Sequence, residues 1–76
     1  MEVSLNHLQP GENAVVLSVW ARDLLARRLQ SAGVIPGAQL HCVGRNGNGQ
    51  TTVLELDGAC IRLQTRDLEK IRVRFL

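Results

Sequence analysis

Aromatic side chains are nearly missing from this sequence: Trp20 and Phe75 are the only two, and there is no tyrosine. With no aromatics interleaved among its arginines, the chain lacks the stacking platform on which single-stranded nucleic acids rest their bases, so no nucleic acid is expected as a partner. Cysteine is scarce as well. Cys42 and Cys60 are too few for a disulfide scaffold, and no charged start followed by an apolar stretch and a small-residue cleavage site opens the sequence. A reducing, cytoplasmic setting is therefore expected. No apolar run exceeds a handful of residues, residues 14–17 being typical, against the roughly 20 that a membrane-crossing helix requires. Any membrane association would come through a partner.

Catalytic signatures are absent too. The two histidines, His7 and His41, belong to no Ser-His-Asp order, there is no nucleophile elbow, and no paired carboxylates sit in an apolar setting that would drive their pKa values apart. The glycine-rich stretch 44–49 lacks the Gly-Lys-Ser/Thr ending of a phosphate loop and opens no helix. Neither an enzyme nor a cofactor is expected.

What remains is an ordinary globular composition, 45% hydrophobic and 21% charged, in 76 residues without internal repeat, low-complexity tract or linker. One domain, 1–76, fills the chain. A chain this short buries only about 60% of the surface its unfolded form exposes, so its loops must be short and its core tight. Nine basic residues against seven acidic ones give a net charge of +2, and eight of the nine are arginines. That balance favours planar, hydrogen-bonded contacts with carboxylate or phosphate over diffuse attraction.

Along the chain, short extended runs alternate with turn signals. Pro10-Gly11 precedes a strand over residues 14–20, whose partial alternation leaves its buried face open. From Asp23 the period changes: Leu24, Leu25, Arg28, Leu29 and Ala32 fall at helical spacing behind an Asp suited to capping, and Gly33 ends the helix. Val34-Ile35-Pro36-Gly37 makes a turn. A strand over 39–43 puts Leu40 and Cys42 on one face and His41 and Val43 on the other. The 44–49 loop returns to a strand over 51–56, and Asp57-Gly58 joins it by a tight hairpin to a strand from 59, in which Ala59, Ile61 and Leu63 take the core side. Residues 65–70 fit a helical turn, and Ile71, Val73 and Phe75 alternate with Arg72 and Arg74 in a last strand. Five short strands, tight turns and no parallel crossover predict an all-β fold, a small barrel closed on itself with one short helix.

The ordered set Leu5-x-x-Leu8-x-Pro10-Gly11-Glu12-x-Ala14-x-Val16, then Arg28-Leu29-x-x-Ala32-Gly33-Val34-x-Pro36-Gly37-x-x-Leu40, then Gly58-x-x-Ile61-x-Leu63 and Ile71-x-Val73 resembles the FeoA family. The resemblance spans Leu5 to about Val73. It implies an SH3-like barrel that serves as a non-catalytic accessory of bacterial ferrous iron uptake, with FeoB, a membrane transporter carrying a GTPase domain, as its partner. The same domain is also found fused to iron-dependent transcription regulators. The chain departs from the family pattern at Ala32, Cys42, Gln64 and Leu68, of which Gln64 replaces a surface arginine.

Candidate contact residues follow from position. Trp20 lies where a strand gives way to the helix, either as a lid on the core or as an anchor for a partner. Leu24, Arg27 and Arg28 on the helix and Val34, Ile35 and Pro36 in the following turn make up the rest of the expected docking surface. Arg62, Arg72 and Arg74 form a basic cluster if their strands are neighbours; a solvated face balanced by nearby carboxylates is the plainer account. His7, His41 and Cys60 are the metal-ligand candidates, but their spacing matches no metal motif, and surface positions explain them more simply. A regulatory or nucleic-acid-binding SH3-like module and a small metal-binding protein are the alternative functions, and weak association between copies stays open.

Overall fold

Asp57 and Gly58 both take positive φ, 51° and 80°, the pair of left-handed conformations that lets a two-residue turn follow the twist of its strands. A computed structural model describes residues 2–76, and this hairpin is the sharpest of its turns. It joins β4 (Thr51–Leu56) to β5 (Ala59–Gln64). The other elements are β1 (Glu2–Ser4), β2 (Asn13–Val19), the helix α1 (Asp23–Ala32), β3 (Gln39–Asn46) and β6 (Ile71–Phe75), with short 3-10 helices at Leu5–His7 and Thr65–Lys70.

Among the described residues the fold is all-β with one short α-helix, as expected, but it has six strands where five were expected. The addition is β1, held against β6 with Val3 opposite Val73; three residues are too few for alternation to reveal a strand. All pairings are antiparallel, and the strand order is β1-β6-β2-β3-β4-β5. The sheet, with β1 and β5 at the two ends of its order, curls on itself as the expected small barrel does. Extents of 26 × 25 × 22 Å require strong curling, since a flat six-stranded sheet would be much thinner in one direction than the others. Register shifts between Val16 and Ser18 in β2 and between Cys42 and Gly44 in β3 supply local bends. The Thr65–Lys70 helix, which follows β5, also touches β1.

Inside the curl lie Ala14 and Val16 of β2, Leu40 and Cys42 of β3, Leu54 and Leu56 of β4, Ile71 and Val73 of β6, and Leu5, Leu8 and Leu68 from the 3-10 segments. This settles the face of β2, with Ala14 and Val16 inward. In β5 the aliphatic side is only half-committed: Ile61 and Leu63 pack against the core while Ala59 is exposed at the hairpin. Leu29 is the fully buried residue of α1, with Leu25 and Ala32 packed beside it. The helix ends as expected, with Gly33 at φ 91°, but its start differs: the capping position falls to Arg22, whose side chain makes no capping bond, and Asp23, with φ 55°, is the first helical residue.

Candidate functional site

Trp20 is held by its backbone and by its indole nitrogen, yet its ring stays in water. Its N–H donates to the Lys70 carbonyl oxygen at 2.7 Å, and its indole Nε1 donates to Ser18 Oγ at 3.0 Å, yet the residue is 72% exposed. Of the two roles expected for it, the lid is excluded and the exposed anchor remains. One turn of chain later, Leu24 is 59% exposed, and Arg27 and Arg28 are exposed on α1. Trp20 just before the helix and Leu24 in its first turn are thus large apolar groups kept in water, with Arg27 and Arg28 three and four residues beyond Leu24 on the same helix.

The turn after the helix behaves differently. The N–H of Val34 donates to the Leu29 carbonyl at 2.9 Å, turning the chain back beneath the helix end, so that Val34 is 1% exposed and belongs to the core. Its expected place on the docking surface is corrected. Ile35 and Pro36 stay outside at the tip of the turn, which is fastened by Ala38 N–H to Ile35 O at 3.0 Å and to β2 by Gly37 N–H to Val16 O at 2.8 Å. They line a hollow with Leu56 and Asp57, whereas Leu24 and Arg28 line a different one, between α1 and β5. The expected set is thus divided between the two ends of a helix about 15 Å long.

The hollow between α1 and β5 was not read from the sequence. Leu25, Ala32, Ile61 and Leu63 line it, and Arg28, Arg62, Arg66 and Lys70 stand around it. Only the fold brings these together, since more than 30 residues of chain separate Arg28 from Arg62. The condition for a cluster of Arg62 with Arg72 and Arg74 is not met, because β6 pairs with β1 and β2 and not with β5; Arg74 sits opposite Glu2.

The metal-ligand candidates occupy scattered or outward positions. His7 is exposed in the first 3-10 helix. His41 and Cys60 flank Glu55 across β3, β4 and β5, and the His41 ring shares a 3.0 Å hydrogen bond with Asn13 Oδ1. Among the described residues no three of His, Cys, Asp and Glu are placed to hold a metal ion. The buried Cys42 is a core residue: burial pushes its thiol pKa up, outweighing the Arg45 charge and a backbone hydrogen bond at Gly44 that pull it down.

The FeoA domain family model matches residues 3–75. The chain belongs to the FeoA domain family. Its relatives include a Fe(2+) transport protein A of Campylobacter jejuni, 28% identical over 74 residues that make up 97% of this chain and 100% of that protein. The FeoA protein of Chlorobium tepidum superimposes with a TM-score of 0.90 at 28% identity, over 97% of this chain and 70% of that one. The FeoA of Stenotrophomonas maltophilia, solved with zinc and described as a procaryotic SH3 domain protein, gives 0.81 at 25% identity, over 95% of this FeoA chain and 89% of the other. The curled sheet of this FeoA domain is accordingly SH3-like.

Proposed function

We propose that this FeoA chain is a non-catalytic accessory protein of bacterial ferrous iron uptake, acting in the cytoplasm by binding a FeoB-type membrane transporter that carries a GTPase domain. The observation that carries this reading is the family match across residues 3–75, together with a relative named for Fe(2+) transport that this chain covers over its whole length. The surface supports it. Trp20 and Leu24 are exposed, and Arg27 and Arg28 are exposed on the same helix as Leu24; Trp and Arg are residue types enriched at protein interfaces.

An adaptor of this kind changes transport only by holding one conformation of the transporter more tightly than another. Contact residues on α1, at Trp20, and in the Ile35-Pro36 turn are the proposed means. The test is a titration of the full chain with the purified cytoplasmic region of a FeoB-type transporter, followed by Trp20 fluorescence. Saturable binding is expected. A flat titration at tens of micromolar would overturn the reading.

A further inference from the structure

The outer side of β5 is an open sheet edge. The two-residue turn at Asp57-Gly58 makes Leu56 and Ala59 a hydrogen-bonded pair, and the pattern then alternates: Ala59, Ile61 and Leu63 bond inward to β4, while Cys60 and Arg62 direct both backbone groups away from it and Gln64 its N–H, the Gln64 carbonyl opening the Thr65–Lys70 helix. Among the described residues no strand pairs with that outer side. Such a row of unpaired backbone groups is completed when an extended segment lies down beside it.

The hollow along this edge, about 660 Å³, has two further properties. Leu25, Ala32, Ile61 and Leu63 give it an apolar floor continuous with the core. Arg28, Arg62, Arg66 and Lys70 rim it, facing a single carboxylate, Asp67, which lies 4.0 Å from Lys70. Three guanidinium groups are thereby left with no carboxylate within ion-pair distance among the described residues. A planar guanidinium is suited to bidentate pairing with carboxylate oxygens.

We propose that this groove takes an extended, acidic peptide segment of a partner protein as an added strand beside β5. Backbone bonds to Cys60, Arg62 and Gln64 hold the segment, alternate apolar side chains enter the floor, and the carboxylates between them pair with the arginines of the rim. A helical partner segment, its backbone groups already paired, would leave the strand edge unsatisfied. The complementarity also fixes sign: a basic segment meets three like charges.

The test titrates the full isotope-labelled chain with a pool of synthetic peptides about eight residues long, alternating Glu or Asp with Val, Ile or Leu, beside a pool in which Lys replaces the acids. Amide shifts confined to β5, α1 and the Thr65–Lys70 helix are expected with the acidic pool only, with slowed hydrogen exchange at Arg62 and Gln64. The double variant Arg62→Glu/Arg66→Glu, both positions exposed, is expected to keep its folded spectrum and to bind about tenfold or more weakly. No shifts on β5 at millimolar peptide, equal binding of the lysine pool, pairing of two copies through β5 in place of peptide binding, or binding without protection of those amides would each overturn the proposal. No transporter is present in this experiment, so its failure leaves the transport reading standing.

Discussion

The guanidinium of Arg45 donates to the Leu8 carbonyl oxygen at 2.8 Å and to the Asn6 carbonyl at 3.3 Å. One side chain on β3 thus fastens the first 3-10 helix and its exit, whose backbone groups no strand can reach. Hydrogen bonds from a charged donor are each worth about 1.5–3 kcal/mol when sheltered, and this one is half-buried. Arg45→Ala is expected to cost about 1–3 kcal/mol, read as a lower urea midpoint with unchanged slope. Arg45→Lys should recover part of the loss.

The two thiols should separate by reactivity. Cys60 is exposed and Cys42 is buried, so a thiol reagent at neutral pH is expected to label Cys60 at once and Cys42 only on unfolding. Equal rates for both would contradict the burial.

Alkaline pH should weaken the fold through Cys42. Its folded pKa is raised by burial, so the unfolded chain gives up the thiol proton first. The stabilisation is present in full below the ordinary thiol range and is lost as pH climbs through the folded value. Denaturant midpoints of the wild type should therefore fall at alkaline pH more than those of Cys42→Ala, whose baseline stability is lower throughout.

Gly33→Ala should destabilise by about 1–2 kcal/mol, the cost of a left-handed conformation for a residue with a Cβ. The added carbon would also lie 3.0 Å from Leu56 Cδ2, so a wild-type melting temperature in this variant would sink the account of the helix end.

Trp20→Ala should leave stability within about 0.5 kcal/mol, as expected of an exposed position, while weakening binding of the transporter's cytoplasmic region. Wild-type emission should report a water-exposed indole before binding and a shielded one afterwards. A loss of stability without loss of affinity would reassign Trp20 to the fold.

Most of the architecture was legible because it is written locally. Asp57-Gly58 names its own turn, Leu40 and Cys42 alternate inward with His41 and Val43 outward, and Gly33 ends the helix where the periodicity stops. What escaped is what depends on distant chain. β1 is too short to show a period and exists because β6 is there to pair with it. Val34 reads as part of a surface turn until the bond from its N–H to Leu29 draws it inside. Arg62, Arg72 and Arg74 cluster only if their strands are neighbours, and strand order, decided by the whole sheet, does not pair β5 with β6 but leaves Arg62 on the hollow beside the helix.

The exposed edge of β5 bears on solubility. If two molecules met edge to edge in the antiparallel alignment that uses Cys60, Arg62 and Gln64 of each, Arg62 would lie directly across from its own counterpart, and like charges so placed repel. A single side chain in the middle of the strand therefore protects the molecule against self-recognition. Arg62→Val would remove that protection, and the neutralised edge should show concentration-dependent aggregation.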